Sequence, residues 1–93
     1  MTSIVQDLSD ERCYVCGSQR NLELHHIMHG TANRRISTRT GLVCFLCRTH
    51  HTGQYGVHRN SALDTALKED AQRAFERTNT REEWMKLFKK NYL

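Results

Sequence analysis

The stretch LCRTHHTGQYGVHRN, residues 46–60, carries one cysteine, three histidines and two glycines within fifteen residues. A second histidine-rich segment, LELHHI (22–27), lies upstream of it, and CYVC (13–16) lies upstream of that. Thiolates and imidazoles are preferred zinc ligands in proteins. The chain holds four cysteines and six histidines, which is enough for two metal sites rather than one.

The length of 93 residues predicts a single domain, residues 1–93, with a thin hydrophobic core. Domains of this size often require a disulfide set, a metal or a partner for stability. The opening MTSIVQDLSDER has no apolar signal core, so we expect a cytoplasmic protein with no membrane contact. In that reducing compartment the four cysteines are expected to bind metal rather than to form disulfides.

The charge is mildly basic, with a formal net charge of +4 and a pI near 9.1. This balance permits contact with the phosphates of nucleic acid but does not by itself demonstrate it. An ordinary basic cytoplasmic protein has the same balance.

The hydrophobic pattern predicts an α+β fold. The alternation in LELHHI (22–27) indicates a strand, and GLVCFL (41–46) indicates a second, antiparallel strand. Between them, residues 28–40 have no hydrophobic period and carry three arginines, so a basic loop is expected there. Residues 46–60 are expected to begin with a turn and to pass into helix, with a break at the two glycines.

The ends of the chain differ from this middle part. Residues 1–12 form an N-terminal extension, and residues 13–60 contain the ligand-rich core. From Ser61 onward, apolar residues recur at helical spacing, with Asn60 or Ser61 placed to cap the helix start. After the break at TNT, Thr80 begins a capping-box pattern that predicts a last helix ending near residue 90. Residues 61–93 are therefore expected to be C-terminal helices.

The C-x2-C pair Cys13 and Cys16 predicts half of a structural zinc site. Either Cys44 and Cys47 complete it, or Cys47 and His50 do. Residues three apart in a strand point to opposite sides, which disfavours Cys44 with Cys47. We therefore favour a zinc site of Cys13, Cys16, Cys47 and His50, with Cys44 as a small core residue.

Five histidines remain after this assignment: His25, His26, His29, His51 and His58. His25 and His26 are neighbours on a strand and should face opposite sides, so one can bind a metal while the other points elsewhere. His51 follows directly on the zinc ligand and can approach a strand histidine across the hairpin. His29 is expected to be a loop residue without a role.

The combination CYVCG, LELHHI, GLVCFLCRTHH and GVHRN resembles the zinc-containing form of the HNH endonuclease superfamily, the ββα-metal or His-Me finger nucleases. It is most similar to small HNH proteins of phages and prophages, and it is akin to the RecA-dependent recombination nucleases of phages. The resemblance covers nearly the whole chain, including the tail REEWMKLFKKNYL. His50 stands where the family usually has a fourth cysteine.

The resemblance implies a zinc-stapled ββα-metal core with C-terminal helices, and it implies roles for the remaining histidines. His25 and His51 would bind a catalytic divalent ion, with His58 as a third ligand. That ion would be Mg²⁺ or another divalent ion such as Mn²⁺, Ni²⁺ or Zn²⁺. His26 would be the general base that activates water.

The family's middle asparagine, which orients the base, has no direct counterpart, because Gly41 and Leu42 occupy that region. Asn33, His58 and Asn60 are the candidates for its role. His58 and Asn60 are favoured because they closely follow His51, and Asn60 is taken as the catalytic candidate.

Four arginines are candidates for DNA binding: Arg34, Arg35, Arg39 and Arg48. The resulting hypothesis is a metal-dependent endonuclease that nicks or cuts DNA. Its alternatives are a zinc-stapled DNA-binding module without catalysis and a nuclease subunit that is active only with a phage recombination or packaging partner.

Overall fold

The computed structural model describes residues 2–93 and has a small α+β architecture. The elements in chain order are β1 Leu22–His26, α1 Thr31–Thr40, β2 Val43–Cys47, α2 Arg48–His51, α3 Ser61–Phe75 and α4 Arg81–Phe88. Within residues 2–93, none of the helices has the length and apolar character needed to cross a membrane.

The two strands form an antiparallel sheet, as their alternation predicts. The register pairs Leu22 with Cys47 and His26 with Val43, so that His25 lies opposite Cys44. Cys47 therefore ends the sheet, and α2 begins at the next residue. The sheet places His25 and His26 on β1 and Cys47 on the neighbouring strand β2.

The expected loop over residues 28–40 is wrong for most of its length, because Thr31–Thr40 form the helix α1. Ser37 is fully buried, and its hydroxyl donates to the carbonyl of Met28 at 2.7 Å and accepts from the Met28 amide at 3.1 Å. Gly41 ends the helix in the left-handed conformation, with φ of 76°. A glycine after the last helical residue is a sequence signal for such an end.

The order of structure in residues 46–60 is the reverse of the prediction. The helical turn α2 comes first, and turns without regular structure follow it up to α3. The predicted break at Gly53 and Gly56 is confirmed. An added Cβ at Gly56 would lie 2.3 Å from the carbonyl oxygen of His51, so the chain can turn back over α2 only with glycine there.

The N-terminal segment lies along the outer edge of β2. The backbone of Ile4 donates to the Gly41 carbonyl at 2.9 Å, and the side-chain oxygen of Gln6 accepts from the Phe45 amide at 2.7 Å. The Tyr14 amide donates to the Phe45 carbonyl at 2.8 Å. These bonds satisfy backbone groups that an uncovered edge strand would leave open to pairing with another chain.

The C-terminal helices close the core, as the helical spacing predicts. The Trp84 ring of α4 is fully buried, and its centroid lies 4.4 Å from that of Phe88 and 5.5 Å from that of Phe75. Thr80 and Glu83 form the predicted capping box at the start of α4. These contacts fix α3 and α4 to each other, and both contribute to the single hydrophobic core.

Candidate metal centres

Cys13, Cys16, Cys47 and His50 converge, as the sequence predicts, and lie close enough to hold a metal such as zinc. Their ligand atoms all lie within 4.8 Å of one another. The Cys16 and Cys47 sulfurs are 3.8 Å apart, and the Cys47 sulfur lies 3.3 Å from His50 Nδ1. Two sulfurs bound to one tetrahedral zinc at about 2.3 Å lie about 3.8 Å apart, so the spacing fits.

The turn between the first two cysteines explains why both thiols point inward. The Gly17 amide donates to the Cys13 carbonyl at 2.8 Å, and the Cys13 amide donates to the Ser18 carbonyl at 2.8 Å. Burial raises the pKa of Cys13, but backbone hydrogen bonds from Cys47, Cys16 and Val15 outweigh it and lower the pKa to about 6. Cys13 is thus held close to the thiolate form that zinc binds.

Cys44 lies outside this cluster and is fully buried in the core. Burial, followed by the negative charges of Cys13 and Asp70, raises the pKa of Cys44 to about 12. A thiol that stays protonated is a poor metal ligand. The strand argument that separated Cys44 from Cys47 therefore holds in the folded chain.

A second cluster consists of His25, His51 and His58, whose ligand atoms also lie within 4.8 Å of one another. Their ring centroids are 5.1 Å apart for His25 with His51, 5.6 Å for His25 with His58, and 5.1 Å for His51 with His58. The three rings come from β1, α2 and the loop before α3. The turn at Gly56 returns that loop toward α2, where the Val57 amide donates to the His50 carbonyl at 3.0 Å.

His25 is the residue of this cluster whose surroundings best fit a ligand. Its side chain is buried, yet its Nε2 has no hydrogen-bond partner among residues 2–93. Burial, and then the charges of His51, His58 and His29, lower the pKa of His25 to about 3. The imidazole is therefore neutral at physiological pH, which is the form that binds metal. Burial and the charge of His51 also lower the pKa of His58.

Glu23 contacts His51, a candidate ligand. The sequence did not predict this contact. Glu23 Oε1 lies 2.9 Å from Nδ1 of His51. A carboxylate only accepts, so the proton of a neutral His51 lies on Nδ1 and the Nε2 lone pair is free for a metal. Metal-binding histidines commonly donate their other ring N–H to such a partner. Glu23 lies two residues before His25, on the same strand face, and that spacing was the available signal.

His26 is half-exposed, whereas its neighbour His25 is buried. Within residues 2–93 its ring pairs with none of the other imidazoles and its side chain makes no hydrogen bond. Both residues nevertheless line one open cavity of about 400 Å³. Burial, and then the positive charge of Arg34, lower the pKa of His26. The neutral form of His26 can accept a proton from a molecule in the cavity.

His29, expected to be a loop residue without a role, also lines this cavity. Its Nε2 lies 3.0 Å from Asp64 Oδ1, and Asp64 bonds to Lys68 at 2.8 Å. Its ring centroid lies 5.6 Å from that of His58 and 6.2 Å from that of His25. His29 thus stands beside the three-histidine cluster but is held by α3.

Asn60 has a structural role in this arrangement. Its side-chain oxygen accepts from the Leu63 amide at 3.1 Å and caps α3. This is the capping function that the sequence predicts for Asn60 or Ser61. It makes no hydrogen bond to His26 among residues 2–93, and neither does the half-buried Asn33 of α1. The orienting role of Asn60 stays a prediction.

The four arginines named for DNA binding do not all line one cavity. Arg34 lines the histidine cavity, whereas Arg39 lines a separate groove against α3 and α4. Arg35 follows Arg34 on α1 and is exposed, and Arg48 is exposed at the start of α2. Of these four, only Arg34 lines the cavity of the histidine cluster.

Comparison with known proteins gives no match: no family model, no curated protein and no solved structure matches the chain. The geometry of the two clusters therefore carries the functional argument.

Proposed function

We propose that this protein is a metal-dependent endonuclease that hydrolyses phosphodiester bonds in DNA. The observation that carries the proposal is the convergence of His25, His51 and His58 in an open cavity that His26 also lines. The cavity is large enough for a phosphate group together with a water molecule. We further propose that the hairpin and α2 form a ββα-metal core of the HNH type.

The three-histidine cluster fits a divalent ion, because His25 Nε2 lacks a partner and Glu23 leaves the Nε2 of His51 free. His25, His51 and His58 would hold Zn²⁺ or Ni²⁺ more tightly than Mn²⁺ or Mg²⁺, because imidazole suits the former and oxygen ligands suit the latter. Three protein ligands leave coordination positions open. A bound ion would supply positive charge to the phosphate oxygens and to the leaving 3′ oxygen, where negative charge develops during hydrolysis.

His26 is proposed as the general base. Its imidazole nitrogen would take the proton from the attacking water, which requires the neutral form that burial and Arg34 favour. It stands apart from the three ligands, so it can hold a proton without giving up a metal bond. A general base of this kind typically contributes about 10²- to 10⁴-fold to the rate.

The charges around the cavity suit an anionic substrate. Among residues 2–93, the side chains that line the cavity include five histidines and Arg34 but no carboxylate. The two nearby carboxylates, Glu23 and Asp64, are engaged by His51 and His29. A phosphodiester would therefore meet donors and cations. The remaining arginines, Arg35, Arg39 and Arg48, are proposed to contact DNA outside the cavity.

The cellular setting that goes with this proposal is the cytoplasm of a bacterial host cell, with a phage or prophage as the source of the protein. A phage recombination or packaging protein is the proposed partner.

The competing function is a DNA-binding module without catalysis, in which both metals are structural. His29 favours this alternative, because a fourth imidazole beside His58 could close the coordination shell. Its bond to Asp64 holds it away from that role in the described structure.

The test is incubation of supercoiled plasmid with the protein and Mg²⁺, Mn²⁺ or Ni²⁺, with and without EDTA. We expect nicked plasmid with at least one metal, no nicking with EDTA, and a loss of about 10²-fold or more in His26→Ala. His29→Ala, which removes the cavity histidine without a ligand or base role, serves as the matched comparison and should lose far less nicking than His26→Ala.

Two outcomes would contradict the proposal. Undiminished nicking by His26→Ala would remove His26 as the base. The other outcome is that the protein binds DNA without nicking it in the presence of any of the metals. If neither His29→Ala nor a higher metal concentration then produced nicking, the binding module would be favoured.

A further inference from the structure

The N-terminus of α1 borders the histidine cavity. Gly30, which precedes the helix, has φ of 97° and offers no side chain as a cap. Within residues 2–93 the backbone N–H groups of Thr31, Ala32 and Asn33 have no acceptor, whereas the Arg34 amide bonds to the Gly30 carbonyl at 2.8 Å. The first turn of α1 contains no acidic residue. Thr31 lines the cavity, so the unpaired helix donors begin at the cavity wall and continue over the next two residues.

A second observation at the same cavity points to a ligand. Gly30, Thr31 and Arg34 line the cavity together with His25, whose side chain is only 2% exposed and whose Nε2 is unpartnered. A buried nitrogen without a partner is costly unless something else binds there. The N-terminus of α1 and the buried His25 side chain therefore border the same cavity.

Arg34 adds a cation that no carboxylate neutralises. Among the ion pairs of residues 2–93, Arg34 has none, whereas Arg12, Arg73 and Arg81 are paired. Arg34 lies in the first turn of the helix, on the side that lines the cavity. A guanidinium beside helix N–H groups is suited to the oxygens of a phosphate.

We infer that the N-terminus of α1 and Arg34 form a binding seat for one phosphate group of a nucleic-acid backbone. The amides of Thr31, Ala32 and Asn33 would donate to its non-bridging oxygens, and the Arg34 guanidinium would donate from the side. This inference rests on the proposed function for the identity of the phosphate, which it places beside the three histidines. It gives α1, absent from the sequence prediction, a role in holding substrate.

The test uses backbone amide NMR on protein loaded with one equivalent of zinc and no second metal, so that phosphate cannot bind through a metal in the histidine cluster. Inorganic phosphate is titrated in one arm, and a short DNA duplex in the other. We expect saturable shifts at the amides of residues 31–33 in both arms.

The variants separate binding from folding. Thr31→Asp places a carboxylate in the first turn, which favours the helix but repels an anion, and Arg34→Gln removes the guanidinium. Each should weaken binding about tenfold. Arg20→Gln and Thr78→Asp make the same charge changes on exposed residues that do not line the cavity. Both should bind within about twofold of the unaltered protein in inorganic phosphate.

The inference is overturned if phosphate shifts none of these amides, or if Thr78→Asp weakens binding as much as Thr31→Asp. Shifts with inorganic phosphate but none with duplex would overturn the assignment to a nucleic-acid phosphate. These results are independent of cleavage. A protein that binds phosphate here but never nicks plasmid would refute the proposed nuclease and leave the seat intact. Normal nicking by Thr31→Asp and Arg34→Gln would refute the placement of the cleaved phosphate at this seat.

Discussion

The two metal-ligand clusters differ in how their ligands are supplied. The cysteine cluster takes two ligands from each of two short segments, 13–16 and 47–50, and has the four ligands of a closed structural zinc site. The histidine cluster takes single ligands from three separate places and opens to a cavity of about 400 Å³. A closed site can only stabilise the fold, whereas a three-ligand site leaves coordination positions open to a further ligand.

The single turn α2 connects the two clusters. His50 and His51 are adjacent in sequence, yet His50 contacts the cysteines and His51 contacts Glu23 and the other histidines. Successive side chains on a helix point about 100° apart, so one turn sends its two histidines to different sites. A metal in the cysteine cluster would thereby fix the position of a ligand in the histidine cluster.

The largest effect is expected from Cys47→Ala, which removes a ligand of the closed site. Structural zinc contributes on the order of 10 kcal/mol to the folding of small zinc peptides, so this variant should lose zinc and unfold. The matched variant Cys44→Ala removes a more deeply buried thiol outside the site and should keep zinc, with a loss of about 1 kcal/mol. Metal analysis and circular dichroism measure both. One zinc per folded chain in Cys47→Ala would contradict the ligand set.

Glu23→Gln should weaken metal binding at the histidine cluster alone. The carboxylate that fixes the His51 ring is replaced by an amide, and such outer partners are worth about 10- to 100-fold in metal affinity. Isothermal titration of zinc-loaded protein with a second metal measures the change. Glu82→Gln, which alters an exposed side chain of α4, is the control. Unaltered affinity in Glu23→Gln would show that the contact does not orient a ligand.

The histidine cluster should make the fold sensitive to acid when no second metal is present. Because burial lowers the folded pKa of His25 to about 3, the unfolded chain takes up this proton first as pH falls below about 6.5. Stability from His25 is therefore complete above that pH and is lost between about 6.5 and 3, by up to about 1.4 kcal/mol per pH unit.

Denaturant unfolding of the unaltered protein and of His25→Gln across this range isolates the contribution of His25, because zinc release affects both proteins alike. A difference in unfolding free energy that does not change with pH would argue against a neutral, buried His25.

The smallest effect is expected from Asn60→Ala. Loss of the α3 cap should cost about 1 kcal/mol in unfolding free energy. Asn60→Ser, which keeps a capping oxygen, should recover most of it. Nicking should follow stability in both variants. A loss of nicking in Asn60→Ser at normal stability would instead support the orienting role that the sequence assigned to Asn60.

Local patterns predicted much of the fold and the four residues of the cysteine cluster, whereas the histidine set was only implied by the family resemblance. Strand alternation located β1 and β2, and the same alternation removed Cys44 from the cysteine cluster. The capping box at Thr80 located α4. These features depend on neighbours within a few residues, so they can be recognised in the sequence alone.

Features that depend on tertiary contact were missed. α1 has little apolar character and is anchored mainly by the buried Ser37, whose hydroxyl bonds reach back to Met28. The bond of Glu23 to His51 joins residues 28 apart, and that of His29 to Asp64 joins residues 35 apart. A polar side chain in a strand or loop gives no sign of such a partner until the chain is folded.

Stepwise addition of Co²⁺ to the metal-free protein tests the division between the two clusters most directly, with circular dichroism, sulfur-to-cobalt absorption and plasmid nicking followed together. We predict that the first equivalent produces the sulfur absorption and the fold without nicking. The second equivalent should produce nicking with no further gain in structure. Nicking that reaches its maximum at one equivalent, or folding that requires two, would contradict the account.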